Sequence, residues 1–173
     1  GKAQATMGIA VDDCNGDGEL DLFITNFYGD PNTLFQSEAA GIWSDQTRSA
    51  QLFDSSVEKL GFGCQFLDAD LDGWPDLIVT NGHVDRSDAT NEPDEMRPQF
   101  YRNHSGRFEE LNTDSIGQFF AEEYLGRALS TLDWNRDGRM DCCISHLFPP
   151  TALLTNTSTE AGNFLRVRLI GIT

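Results

Sequence analysis

The sequence predicts an all-β chain made of about three similar units of four short strands each, and three observations carry that prediction. A nine-residue acidic loop occurs three times, as Asp13–Asp21, Asp68–Asp76 and Asp133–Asp141, each fitting D-x-[DN]-x-D-G-x-x-D. Short apolar runs of strand length flank every copy on both sides. Further strand-like segments then follow each copy, two after each of the first two loops and one after the third.

The runs before the loops are Met7–Val11, Phe62–Leu67 and Leu125–Leu132, and the runs after them are Leu22–Thr25, Leu77–Thr80 and Cys142–Ser145. The second set is rich in residues that suit strands buried on both faces. An Asp-Gly turn between two such runs is a hairpin connection, so each loop joins a first strand to a second. Third strands are expected at Asn32–Gln36, Gln99–Asn103 and Ala152–Asn156, and fourth strands at Gly41–Thr47 and Gly106–Leu111. The third repeat departs from the pattern after Asn156. Loop starts lie 55 and 65 residues apart, and four-stranded units at such a period are blades of a β-propeller. The repeats cover approximately residues 1–54, 55–117 and 118–162.

The loops place oxygen-bearing side chains at positions 1, 3, 5 and 9 and glycine at position 6. Hard oxygen ligands converging on a tight turn suit a calcium ion. The expected ligands are Asp13, Asn15, Asp17 and Asp21; Asp68, Asp70, Asp72 and Asp76; and Asp133, Asn135, Asp137 and Asp141. Position 9 starts the second strand, where a rigid backbone would present its carboxylate, and the position 7 carbonyls of Glu19, Trp74 and Arg139 would add a further ligand. An EF-hand is excluded, because its bidentate Glu at position 12 is replaced here by Ile24, Val79 and Ile144. One Asp-Gly hairpin needs no metal, but three in register hold ten Asp carboxylates in short spans, and these repel unless a cation neutralises them. Three calcium ions would take the formal net charge from −16 to −10.

A chain of 173 residues with 39% hydrophobic content is long and apolar enough for a folded core. With 28 acidic residues, and Lys2 and Lys59 its only lysines, it is not expected to bind nucleic acid or adhere to an anionic membrane. No apolar run approaches a transmembrane length. Cys14, Cys64, Cys142 and Cys143 show no zinc spacing, and spacing alone does not decide between free thiols and disulfides linking repeats.

Several residues together carry a family resemblance. Met7-Gly8, the acidic loop, the steps Thr25-Asn26, Thr80-Asn81 and Ser145-His146, and an L-[FY]-x-N plus G-x-F pair resemble the FG-GAP or VCBS repeat of integrin-type propellers. More narrowly, Asp76–His83, a long polar insertion and Pro98–Asn103 are similar to the cartilage acidic protein and ASPIC/UnbV group. The tail Asn163–Gly171 is similar to the opening strand of an ASPIC/UnbV domain, which would occupy residues 163–173. Repeat three departs from the pattern at Trp134, Cys142 and Cys143. The resemblance implies calcium binding and a secreted, cell-surface or periplasmic setting. Three blades do not close a ring, and open ends leave bare faces, so the chain is expected to be a fragment that contacts further blades of its own parent chain.

No nucleophile elbow, zincin or phosphate-loop motif is present, and a non-catalytic role is expected. The expected function is extracellular recognition, adhesion or scaffolding with up to three calcium ions. Its ligand is expected to be a protein or glycan, and the polar insertion Val84–Arg97 reads either as a recognition loop or as a solvated loop without a role. Two alternatives stay open: a carbohydrate-binding module of a secreted enzyme, and part of a propeller enzyme whose active site lies on blades outside this sequence. His83 reads as structural, with Gly82 permitting a turn and the imidazole bonding backbone. Trp43, Trp74 and Trp134 read as packing residues rather than sugar platforms.

Overall fold

The structure, a computed structural model, describes residues 3–38, 41–85, 92–159, 161–167 and 169–171. Arg86 and Asp88 of the insertion, together with Lys2 and Arg168, lie outside the described residues. The chain is all-β, with three antiparallel sheets formed in sequence order. Sheet one contains β1 (Thr6–Asp12), β2 (Asp21–Asn26), β3 (Thr33–Ser37) and β4 (Trp43–Asp45). Sheet two contains β5 (Gly61–Leu67), β6 (Asp76–Asn81), β7 (Gln99–Asn103) and β8 (Phe108–Glu110). Sheet three contains β9 (Gly126–Leu132), β10 (Asp141–His146) and β11 (Ala152–Leu154).

Consecutive strands pair in every sheet, because each connection is a hairpin. The third sheet has three strands among the described residues, one fewer than the four expected of each unit. Past Asn156 the chain does not turn back along β11. It crosses toward the second acidic loop, where the Gly162 N–H donates to the Asp70 carbonyl at 2.8 Å.

The sheets stack face to face through alternating residues. In β6 all six residues are buried, and neighbours on the strand point to opposite sheets, as a period of two requires. Leu77 and Val79 join a core with Ala10, Phe23 and Leu34 of sheet one, to which sheet two adds Cys64, Phe66, Tyr101 and Phe108. Ile78 and Leu67 face the other way, into a core with Leu129, Cys142 and Ile144 of sheet three. The connecting segments plug both seams. Ala50 and Leu52, just before the short helix α1 (Phe53–Ser56), enter the first core. Ile116, at the end of α2 (Thr113–Ile116), and Phe120 enter or pack on the second.

The first strands of neighbouring sheets approach so closely that glycine is required. A Cβ on Gly8 would sit 2.2 Å from the Phe62 carbonyl oxygen, and one on Gly63 would sit 2.6 Å from the Arg127 carbonyl oxygen. The Thr-Asn steps of β2 and β6 finish the two seams. Thr25 Oγ1 donates to the Phe62 carbonyl at 2.7 Å, and Thr80 Oγ1 donates to the Arg127 carbonyl at 3.0 Å. The following side chain braces the start of the third strand. Asn26 Nδ2 donates to Pro31 O, Asn81 Nδ2 to Arg97 O, and His146 Nδ1 to Pro150 O, at 2.7, 2.8 and 3.1 Å. His146 thus substitutes for the asparagine with a ring N–H.

All four cysteines are free thiols. Burial pushes the Cys64 and Cys142 thiols up to about 12, so both stay protonated packing groups. His83 is buried. Its N–H donates to the Asp94 carbonyl at 2.7 Å, while Nδ1 lies 3.2 Å from the Asp85 carbonyl and Nε2 lies 3.3 Å from Glu92. The residue therefore ties both ends of the polar insertion, and the close approach of Gly82 to Leu125 and Tyr124 seats it.

Candidate metal centre

All three acidic loops leave the end of a first strand and enter a second strand in the same way. The register pairs Asp12 with Asp21, Leu67 with Asp76 and Leu132 with Asp141. Each loop turns through two left-handed residues. Position 6 is glycine at φ of 88°, 93° and 89° (Gly18, Gly73, Gly138), and position 4 is Gly16, Leu71 or Arg136 at 75°, 56° and 63°. The second was not visible in the pattern, since Leu71 and Arg136 carry side chains that disfavour this region. Non-glycine residues held there store strain, which collects at functional turns.

The carboxylate at position 1 organises the backbone. Asp13 accepts the N–H groups of Gly16, Asp17 and Gly18 at 2.8, 3.1 and 2.8 Å. Asp68 accepts those of Asp72 and Gly73 at 3.0 and 2.9 Å, and Asp133 those of Asp137 and Gly138 at 3.0 and 3.2 Å. Position 5 accepts from position 7: Glu19, Trp74 and Arg139 donate their N–H groups to Asp17, Asp72 and Asp137 at 2.8, 2.9 and 3.0 Å.

Position 3 separates the loops chemically. Asn15 Nδ2 donates to Asp17 at 2.9 Å, and Asn135 Nδ2 donates to Asp137 at 2.8 Å. In the second loop that place is Asp70, which has no proton to give. Asp68, Asp70 and Asp72 consequently bring three carboxylate oxygens within 4.8 Å of one another. Two oxygens bound to one calcium at about 2.3–2.6 Å are separated by no more than about twice that distance, so the triad fits one ion. Arg102 of β7 leans on this cluster, pairing with Asp70 and lying 4.0 Å from Asp72. Asp70 Oδ1 is buried without a hydrogen-bond partner among the described residues, which leaves a lone pair free for a cation.

Position 9 has a role that spacing did not show. Asp21, Asp76 and Asp141 are 0%, 2% and 1% exposed, and each clamps two backbone N–H groups. Asp21 accepts from Cys14 and Ser37, both at 3.1 Å. Asp76 accepts from Ala69 and Asn103 at 3.3 and 2.9 Å, and Asp141 from Trp134 and Asn156 at 3.1 and 2.7 Å. Each carboxylate thus latches its loop to the end of the third strand in the same repeat. A carboxylate oxygen has a second lone pair, so the latch leaves room for coordination. Cys14 adds an S–H bond to Asp21 at 2.9 Å, and burial together with that bond holds its thiol protonated.

The side chains at position 7 differ. Glu19 is exposed, and Trp74 packs on Gly16 of the first loop. Arg139 pairs with Asp137 and donates from Nε to the Asn156 carbonyl at 3.2 Å. The exposed faces of Trp43 and Trp134, 41% and 51% accessible, leave those two rings only partly packed.

A carboxamide from the following repeat buttresses each of the first two loops. Asn103 Nδ2 donates to the Cys14 carbonyl of the first loop at 2.8 Å, and Asn156 Nδ2 donates to the Ala69 carbonyl of the second at 2.7 Å. These bonds span 89 and 87 residues and lay beyond the reach of local sequence reading.

No curated protein matches the chain. A sequence profile of the FG-GAP-like repeat matches residues 13–79 and again residues 68–144, and each match runs from one acidic loop past the start of the next. Those two spans cover well over half of the sequence, and with the loops and sheets repeating in the same register the chain belongs to the FG-GAP-like repeat family.

Proposed function

We propose that this chain is a calcium-stabilised segment of a β-propeller that serves extracellular recognition, adhesion or scaffolding and performs no chemistry of its own. The convergence of Asp68, Asp70 and Asp72 within 4.8 Å carries this reading, and the first and third loops repeat its backbone framework. The donor set is hard oxygen throughout, which favours calcium over softer-ligand metals. Calcium would neutralise carboxylates that otherwise repel, and it would hold the two left-handed turns of each loop. Extracellular modules typically bind calcium at about 10⁻⁴ to 10⁻³ M, so a secreted, surface or periplasmic location keeps the loops filled. Sheets one, two and three are then three blades, each laid on the next. The resemblance to the ASPIC/UnbV group supports the same setting, and the insertion Val84–Arg97 is the proposed contact with a protein or glycan ligand.

Calorimetric titration of calcium into chelator-treated protein tests the reading, alongside Asp17→Asn, Asp72→Asn and Asp137→Asn. These position 5 side chains sit at the loop surface, so the substitutions remove a charge without opening a core. Each variant is expected to lose one binding event or weaken it at least about tenfold, and a hundredfold excess of calcium over Kd should stabilise by about 2.7 kcal/mol per site. For a chain of this size that raises Tm by roughly 5–10 °C. No heat and no stabilisation at millimolar calcium would reduce the loops to acidic turns.

A further inference from the structure

We propose that the segment Gly162–Val167 is a strap that competes with the metal of the third loop, so that calcium binding there releases it. The proposal rests on the calcium reading above.

Three contacts hold the strap, and all fall on the acidic loops. The Gly162 N–H donates to the Asp70 carbonyl of the second loop at 2.8 Å, and a Cβ on Gly162 would lie 2.0 Å from the Leu71 carbonyl oxygen. The Phe164 ring lies on Gly138 of the third loop, its edge 2.2 Å from where a Cβ would stand. Arg166 Nη2 lies 2.6 Å from Oδ2 of Asp133, the position 1 carboxylate of that loop. The rest of the strap is bare, with Leu165 87% and Val167 66% exposed.

Asp133 Oδ2 already accepts the Gly138 N–H at 3.2 Å, so with Arg166 both of its lone pairs are engaged. A dication in the loop needs the same carboxylate and repels the guanidinium that sits on it. Metal and Arg166 therefore compete for Asp133 through charge, since Oδ1, which accepts only the Asp137 N–H, keeps a lone pair for the ion. The second loop shows the contrasting case. Arg102 also pairs there with a loop carboxylate, but it belongs to β7, so a metal displaces only its side chain. Arg166 sits in a segment outside any strand, and its departure frees the backbone with it. Phe164, packed on the glycine that lets the loop turn, leaves at the same time if the loop tightens around an ion. By linkage, whatever factor the strap costs the third site in calcium affinity is the factor by which calcium weakens the strap.

The test combines calorimetry with hydrogen exchange read by mass spectrometry, in protein carrying Asp17→Asn and Asp72→Asn so that the third loop dominates the titration. Calcium is expected to speed exchange of the Gly162 amide, the strap N–H that donates to Asp70, by at least about fivefold while β6 stays protected. Arg166→Gln should speed the same exchange in chelator and tighten the third site roughly two- to fivefold, the scale of an exposed ion pair. Heat at the third loop with strap protection unchanged or increased would overturn the strap and leave calcium binding intact. Unaltered third-site affinity in Arg166→Gln would do the same. Absence of calcium heat in the otherwise unmodified chain would overturn both readings together.

Discussion

Burial raises Asp76 to a pKa of about 7, with Asp70 and Asp72 adding to the shift and the backbone N–H groups of Asn103 and Ala69 opposing it. That value lies above the 3.8 of an ordinary aspartate. Its stabilising contribution is therefore complete below the unfolded value and lost as pH rises through about 7. The metal-free protein should lose about 1.4 kcal/mol from this one group between pH 6 and 8. The matching measurement is Tm against pH in chelator for the parent and for Asp76→Asn. The parent should fall more steeply than the variant, and saturating calcium should flatten the difference, because a nearby dication favours the carboxylate. Equal slopes in chelator would show that Asp76 is not the group titrating.

At the scale of elements, the seams depend on backbone passing backbone. A methyl group on Gly63 would meet the Arg127 carbonyl oxygen, the Leu129 nitrogen and the Ala128 carbonyl carbon, and none of these backbone atoms can rotate away as a side chain would. Gly63→Ala is expected to cost roughly 1–3 kcal/mol, read as a lower urea midpoint with an unchanged m-value. A neutral result would mean that sheets two and three slide freely. The strands themselves were legible, because an Asp-Gly turn between apolar runs is a local signal that needs no tertiary information. The third sheet's missing partner was partly legible too, since the repeat breaks after Asn156. Two features were not. Left-handed Leu71 and Arg136 carry no glycine to betray them, and the latching role of Asp21, Asp76 and Asp141 depends on N–H groups brought from the end of the third strand. Spacing marked those aspartates as ligands, whereas their burial is visible only once the third strand is in place.

Across the whole molecule, equivalent positions meet different fates according to which sheet carries them. Val11, Phe66 and Thr131 stand at the same point before their loops. Phe66 is 7% exposed between sheets one and two, while Val11 is 49% exposed on the outer face of sheet one, next to Ile9 at 58%. Lysine at position 66 should therefore unfold the chain or cost more than about 4 kcal/mol, by burying an unpaired charge. Val11→Lys should change stability by no more than about 0.5 kcal/mol. Denaturant midpoints decide it, and a severe loss from Val11→Lys would mean that this face is covered in solution.

The asparagine bonds between loop and following repeat give the array a direction. Cys14 and Ala69 each receive a carboxamide from the repeat that comes next, so opening either loop also loosens the neighbour laid over it. Stacked units of this kind behave as a one-dimensional chain of nearest-neighbour couplings. Among the described residues the third loop receives no such carboxamide and is touched instead by the returning tail. Unzipping should start there and run backwards through the second loop to the first, with the most deeply buttressed turn the last to fray.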